Sequence, residues 1–414
     1  MYDWANSAFA TIMMAALFPT FFTNMAEAQG VQGSVWWGYG TSLARLVVGF
    51  GAPVIGSLIA YRYYKKRMFA SFIALGILAL LFLAAQSPWY MLLGGYVLAN
   101  ILWSSSNIVY DSYLPDITSP DRMDKVSAWG FAMGYIGGST IPFVASIVLV
   151  TVGPDFGIDL VTAVRISIVM TAVWWGVFSV PILKNVHHKY GTDAPQQGML
   201  MDTIRRVGGT ARKIVANKAM FTFILAYFFY IDGVNTVISM AAAYGAQIGL
   251  GMEGMLGALL LTQLVAVPCS IAFGRLAKRF HSLNVINFAV LVYIGICITG
   301  FFMGFGLEEQ WFDYGTAEVI LWAMAVMVGT VQGGIQAISR SSFARLVPPE
   351  NSGEYFGFFE IFGRFAAIIG PFTYATVLMH TGRPSFAVIS ISVLFAIGLV
   401  ILNRGRAHLM DALA

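Results

Sequence analysis

The sequence predicts an all-α membrane protein: twelve transmembrane helices in two pseudo-symmetric six-helix bundles. Three observations lead there. Apolar residues make up 58% of the chain and charged residues 11%, against about 25% charged in ordinary soluble domains, so a water-soluble surface cannot be assembled from this composition. The apolar residues gather in runs of the length a bilayer crossing needs, roughly 20 residues each. The second half of the chain also repeats the first at a fixed offset of 229 residues.

The repeat is clearest over 107–143 and 336–372, which share Ser112/Ser341, Pro120/Pro349, Gly134/Gly363, Pro142/Pro371 and Phe143/Phe372 without a gap. The same offset maps Asp3 onto Asp232 and Asn6 onto Asn235, which supports the register independently. Each copy reads as an apolar helix, a short polar turn holding charge and proline, and a glycine-rich apolar helix. That is a helical hairpin used twice.

In order, the first six segments run over 3–26, 34–60, 68–86, 88–111, 126–151 and 161–183. A polar stretch over 184–217 separates them from six more, over 218–246, 253–274, 284–306, 316–342, 354–380 and 385–403. The domain reading follows: an N-terminal six-helix bundle over 1–183, a basic linker over 184–217 and a C-terminal bundle over 218–414. The first segment lacks the basic n-region and small-residue cleavage site of a secretory signal.

Loop charge sets the orientation. The loops after helices 2, 4, 6, 8, 10 and 12 carry 19 Lys and Arg residues, and the opposite set carries one, Arg383. By the positive-inside rule both termini and the linker are cytoplasmic, in what reads as a bacterial inner membrane. The linker holds Lys184, Lys189, Arg205, Arg206, Arg212, Lys213 and Lys218. Its amphipathic part, Met199 to Val215, is expected to lie along the anionic membrane face. Fourteen residues precede Asp232 in helix 7 but two precede Asp3, so the repeat leads us to expect missing turns at the start, from truncation or a misassigned start codon.

Several function classes are excluded. The net charge of +4 comes from loop residues without interleaved base-stacking aromatics, so no nucleic-acid partner is expected. Cys269 and Cys297 are too few for a disulfide framework or a cysteine zinc site, and no cofactor or metal is expected. The five histidines lie in loops or at helix ends, and no G-x-x-x-x-G-K-S/T loop is present, which argues against ATP coupling within the chain.

Chemistry is expected from polar groups inside helices, where an ionisable side chain costs about 2.5–3.5 kcal/mol on insertion scales and faces a cavity or a partner. Asp3 and Asn6 share one face of helix 1, and Asp232, Asn235 and Ser239 share one face of helix 7. Asn107, Tyr110 and Asp111 do so in helix 4, and Gln332, Gln336, Ser339 and Arg340 in helix 10. In a six-plus-six transporter these first and fourth helices of each half are where a midplane substrate site belongs. The same amides are also the kind that hydrogen-bond neighbouring helices. The offset sets Asp111 against Arg340 as a gate or a permanent pair. Glu360 and Arg364 are spaced for an intrahelical pair. Arg45 in helix 2 is a second cation within the bundle, suited to a carboxylate such as Asp3 or to an anionic group. Gly130, Gly134 and Gly138 form a small-residue stripe for close helix packing.

The stretches YDWANSAFAT (Tyr2 to Thr11), YDSYLPDI (Tyr110 to Ile117), FYIDGVNTV (Phe229 to Val237), GGIQAISRSSFARLVP (Gly333 to Pro348) and EYFGFFEIFGRFAAIIGP (Glu354 to Pro371) resemble one family. It is the vacuole-effluxer-like branch of the major facilitator superfamily, and the resemblance runs nearly the whole chain. GRLAKRF at Gly274 to Phe280 resembles only the general superfamily loop, with Lys278 where an Asp is usual. The first copy of that loop, Gly56 to Arg67, lacks the acidic residue. Members also carry a short segment before YDWANSA.

The resemblance implies the major facilitator fold and a secondary transporter working by alternating access, with fungal relatives implying amino-acid export from the vacuole. Asp3 and Asp232 would bind an ammonium group or a coupling proton. Asn6, Asn107, Tyr110, Asn235, Gln332 and Gln336 would supply hydrogen bonds, and Arg340 or Arg45 a carboxylate partner. The expected partners are a small-molecule substrate, a coupling proton and the lipid bilayer, with the chain a monomer. Three alternatives stand beside this reading: a larger cargo such as a siderophore, peptide or amphiphilic drug; a solute sensor that does not transport; and an intramembrane enzyme, which the lack of a metal-ligand cluster or Ser/His pair at helical spacing disfavours.

Overall fold

A computed structural model describes residues 1–61, 63–192, 199–250 and 252–413. Among these, twelve helices are long and apolar enough to cross a membrane. Helices 1 to 6 are Tyr2–Glu27, Gly33–Ile59, Tyr64–Ala84, Trp89–Ser112, Pro120–Phe156 and Leu160–Asn185. Helices 7 to 12 are Lys218–Ala241, Gly257–Phe280, Ser282–Glu308, Tyr314–Leu346, Pro349–Thr381 and Pro384–Arg404. Helices 5 and 11 begin earlier than their apolar runs because each opens with a short 3₁₀ turn, Pro120–Arg122 and Pro349–Asn351. Proline suits a first turn, where its fixed φ is already helical and its missing N–H would have had no partner.

The chain forms two compact units. Unit 1 holds Met1–Thr118, Met133–Thr210 and Pro348–Ile361, and unit 2 holds Ser119–Ala132, Ala211–Val347 and Phe362–Ala414. The division departs from the two halves of the chain in two places: the start of helix 5 belongs with unit 2, and the start of helix 11 with unit 1.

Unit 1 packs around aromatic side chains from helices 1, 2, 4 and 6, with Phe9, Phe18, Phe22, Tyr96 and Trp175 fully buried. Glycine makes room for the largest of them. A Cβ on Gly76 of helix 3 would lie 2.5 Å from the Trp175 ring, so this position admits no side chain without moving helix 6. In unit 2, Tyr293 of helix 9 stacks on Phe395 of helix 12 at 5.1 Å between ring centroids.

Among the described residues four helices are irregular, helix 12 only by a single turn residue, Ile391, between Pro384–Ser390 and Ser392–Arg404. Helix 1 has a π-helical stretch over Phe9–Ala16 and helix 5 another over Tyr135–Thr140. Helix 11 is interrupted outright between Phe365 and Ile369. Proline explains the last two. A helical proline removes one N–H and its ring collides with the carbonyl four residues earlier. Four before Pro142 is Gly138, inside the π stretch; four before Pro371 is Ala367, inside the break. Pro142 and Pro371 are one of the repeat's identities, so the two irregularities are copies of one feature.

The linker helix, Met199–Ala216, is anchored to unit 1 through polar contacts. Asp202 accepts from the Tyr61 hydroxyl (2.6 Å) and from Arg206 Nε (2.8 Å). Glu354 accepts from Arg206 (3.2 Å) and from the Thr210 hydroxyl. Met201 and Ile204 point outward on the exposed side. The part of the linker over 193–198 lies outside the described residues.

Candidate functional site

In unit 1 four of the five polar residues predicted on helices 1 and 4 meet in two pairs. The Tyr110 hydroxyl donates to the Asp3 carboxylate at 2.5 Å, and the Asn6 amide donates to Asn107 Oδ1 at 2.5 Å. Trp103 Nε1 donates to the Asn6 carbonyl at 3.0 Å. Asp3 and Asn6 are 8% and 7% exposed, so both are nearly withdrawn from solvent. Helix 5 closes over this face. A Cβ on Gly134 would lie 2.7 Å from Ser7 Oγ and 3.4 Å from Asp3 Cβ, and one on Gly138 would overlap the Ser7 side chain. Gly134 and Gly138 of the small-residue stripe thus let helix 5 approach helix 1 beside its acid. Removing the phenolic donor should be felt. Tyr110→Phe is expected to destabilise the folded protein by about 1–3 kcal/mol, since a buried carboxylate loses a partner. Thermal unfolding in detergent measures this, and an unchanged Tm would mean the bond contributes nothing.

Unit 2 repeats the plan with a different partner. Asp232 of helix 7 is 0% exposed, and its carboxylate oxygens accept the Gly370 N–H at 3.0 and 3.1 Å. Thr236 Oγ1, one turn on, lies 3.4 Å from the same carboxylate. Gly370 is in the first turn of the second part of helix 11, Ile369–Thr381. The acid therefore caps a helix start inside an apolar environment, where free N–H groups would otherwise be costly. Charge favours the arrangement, because the positive end of the helix dipole faces a carboxylate. Beside it the Tyr230 hydroxyl bonds Ser339 of helix 10 at 2.7 Å, as Tyr2 bonds Ser106 of helix 4 at 2.6 Å in unit 1.

The other predicted residues are placed as follows. Asn235, Gln332 and Gln336 lie on helices 7 and 10, Gln332 buried and the other two half-buried. Among the described residues their side-chain amides make no hydrogen bond. Arg340 is buried, donates to Ser127 Oγ (2.9 Å) and to the Ser127 carbonyl (3.2 Å), and stands over the Phe131 ring. Asp111 is half-buried at the end of helix 4, Glu360 and Arg364 are half-buried on helix 11, and Arg45 is exposed on helix 2.

Two further charged clusters, like that of Asp202, Arg206 and Glu354, were not predicted. In unit 1, Lys65 at the start of helix 3 is fully buried and donates to Asp116 (2.7 Å) and to the Ser112 carbonyl (2.8 Å). Asp116 also accepts the N–H groups of Lys189 and Tyr190 at 2.9 and 3.3 Å. In unit 2, Asp124 takes a two-pronged contact from Arg345 at 2.8 and 2.9 Å and a bond from the Ser341 hydroxyl at 2.5 Å. The acid missing from the first superfamily loop is thus supplied from beyond helix 4. A signal for this existed: the 229-residue offset maps Asp116 onto Arg345 and Ser112 onto Ser341, opposite charges at one position of the repeated hairpin.

Residues 34–405 match the family described as "Vacuole effluxer Atg22 like". An uncharacterized MFS-type transporter of Bacillus subtilis, YxiO, is 39% identical over 409 residues, 97% of this chain and 92% of that protein. Autophagy-related protein 22 of Cryptococcus neoformans is 24% identical over 319 residues, 73% of this chain and 54% of that protein. This chain thus matches about half the length of the fungal protein. Among solved structures, a bacterial homologue of the iron transporter ferroportin in an outward-facing state superposes with a TM-score of 0.69 at 11% identity, over 98% of this chain and 97% of that one. The proton:xylose symporter XylE superposes with a TM-score of 0.67 at 11% identity, over 97% and 92%. At those identities the likeness speaks for the fold alone, which is that of the major facilitator superfamily. The family match and the Bacillus relative go further: the chain belongs to the vacuole effluxer Atg22-like family, and it is a multi-pass membrane transporter of the major facilitator type for a small-molecule substrate rather than an enzyme.

Proposed function

We propose that this transporter moves an amino acid or similar zwitterion by alternating access, coupled to protons, as a monomer in a bacterial inner membrane with both termini cytoplasmic. The observation that carries the reading is the repeated acid. Asp3 of helix 1 and Asp232 of helix 7 are each withdrawn from solvent, Asp3 against Gly134 just before the π stretch of helix 5 and Asp232 against Gly370 just after the break in helix 11. An acid kept twice at a cost of about 2.5–3.5 kcal/mol each needs a use, and neutralisation by an ammonium group or a proton is one. The amides of Asn235, Gln332 and Gln336, which make no hydrogen bond among the described residues, offer both donors and acceptors, which suits a substrate carrying both charges. The bias of 19 basic residues against one supports the orientation. The family description, vacuole effluxer, supports export of a solute from a compartment.

The test is uptake into proteoliposomes of a labelled amino-acid mixture under an imposed pH gradient, comparing the unaltered chain with Asp232→Asn. Gradient-driven uptake is expected in the former and a fall of about tenfold or more in the latter, as removing a coupling free energy of ordinary size would give. Absence of flux in both, with the protein folded, removes amino acids and turns attention to larger cargos.

A further inference from the structure

We propose that Asp232 is a proton-binding site that fastens and releases the second part of helix 11: ionised, it caps Ile369–Thr381, and protonated, it lets that helix start go. This deepens the proton-coupled reading above and rests on it for its place in transport, but not for its chemistry.

The geometry makes the carboxylate the break's main acceptor. Both oxygens lie within 3.1 Å of the Gly370 nitrogen and accept its N–H. Thr236 turns its hydroxyl to its own backbone, donating to the Asp232 carbonyl at 2.7 Å. It therefore braces the acid rather than replacing it. Among the described residues no ion pair joins Asp232 to a cation. The titratable groups on the elements around it are engaged elsewhere. Tyr230 bonds Ser339, Tyr374 bonds Gln247, and Arg340 bonds Ser127. The Tyr227 hydroxyl sits beside Gly363, and Arg364 lies on the part of helix 11 before the break. The charge on Asp232 is therefore balanced by the helix N-terminus itself.

That arrangement makes the cap depend on the charge. The carboxylate accepts the Gly370 N–H with both oxygens and interacts favourably with the positive helix end. A carboxylic acid carries no charge and turns one oxygen into a donor that repels that N–H. One proton bound at Asp232 thus removes the charge and one acceptor from the start of Ile369–Thr381. Loss of the proton restores both. The break at 366–368 supplies a place where the chain can respond, since no continuous helix ladder crosses it.

Two measurements on the full chain in detergent, with no substrate present, test this. Infrared difference spectra between about pH 9 and about pH 5, the range over which buried carboxyls are known to titrate, should show a carboxylic-acid band that is missing from Asp232→Asn. Amide hydrogen exchange over 366–372, expressed as protection relative to the intrinsic rate at each pH, should fall about tenfold or more across the window in which that band appears. In Asp232→Asn the protection should be low throughout. If the asparagine variant does not fold, Asp232→Glu takes its place, and its infrared band and exchange window should move together. A band that survives Asp232→Asn, or protection at 369–370 that ignores pH in the unaltered chain, overturns the proposal. A cap that opens with pH while a pH gradient drives no uptake would uphold the proton site and overturn proton-coupled transport.

Discussion

Lys65→Met should cost the folded protein about 3–5 kcal/mol, the size expected when one partner of a buried ion pair is removed and the other is left uncompensated. Lys65 and Asp116 have side-chain exposures of 0% and 1%, so water does not rescue the acid. Two features bound the loss. Asp116 keeps the N–H groups of Lys189 and Tyr190, which holds the cost toward the lower end. The Ser112 carbonyl loses its donor and Tyr113 loses the ammonium 4.5 Å from its ring centre, which pushes it up. The double variant Lys65→Met with Asp116→Asn removes both charges while the asparagine oxygen still accepts the two backbone N–H groups. It should recover most of the loss, because a buried ion pair as a whole contributes far less than the penalty for breaking it. Thermal unfolding of the purified proteins decides the matter. A single variant as stable as the unaltered chain, or a double no better than the single, would show that the pair does not anchor the start of helix 3 to the end of helix 4.

The same pair shows where sequence reading reached and where it stopped. Twelve apolar runs and a repeated hairpin were enough for the fold, because a bilayer leaves few ways to satisfy a backbone. The unit 1 site was legible for a related reason. Asp3 with Asn6, and Asn107 with Tyr110, stand three residues apart on single helices, so each pair shares a face, and polar side chains on apolar helices seek each other. Lys65 was not legible. Its loop is rich in basic residues that set orientation, and only the tertiary fold decides which of them is buried. Two opposite-charge matches occur at the 229-residue offset, Asp111 with Arg340 and Asp116 with Arg345. The second match marks the charged clusters, with Asp116 holding Lys65 and Arg345 holding Asp124.

The interruption of helix 11 was hidden in a different way. The stretch FAAIIGPF, Phe365 to Phe372, is apolar throughout, and hydropathy reads it as part of one continuous span. The signal lay in backbone chemistry: Pro371 collides with the carbonyl of Ala367, and Gly370 before it leaves space for an acid from helix 7. Asp232 was singled out for its depth in the helix, but its partner could not be, because a backbone N–H has no letter in a sequence.

Gly370→Ala is expected to disable transport and to destabilise unit 2 by about 1–3 kcal/mol, the usual cost of overpacking a filled interior. A Cβ on Gly370 would overlap Thr236 Oγ1 and lie 2.8 Å from Thr236 Cβ and 2.9 Å from Asp232 Oδ1. All three belong to helix 7, which is fixed by its packing on helix 12 through Gly233 and Phe395, so the strain falls on the start of Ile369–Thr381. Moving that start away lengthens the bonds from Gly370 to Asp232 and uncaps the helix, which is the state that protonation of Asp232 would produce. Adding Thr236→Ala removes the nearest atom but leaves its Cβ in place. The double variant should therefore regain part of the stability, and part of the flux if the cap matters for flux. Thermal unfolding and proteoliposome uptake, measured on both variants, separate the two effects. If Gly370→Ala unfolds and transports like the unaltered chain, the break in helix 11 has slack that the structure does not show, and the acid cannot be gripping it. If stability returns in the double variant while flux stays lost, the hydroxyl of Thr236 is itself needed at the site, and the acid and the threonine work as one unit.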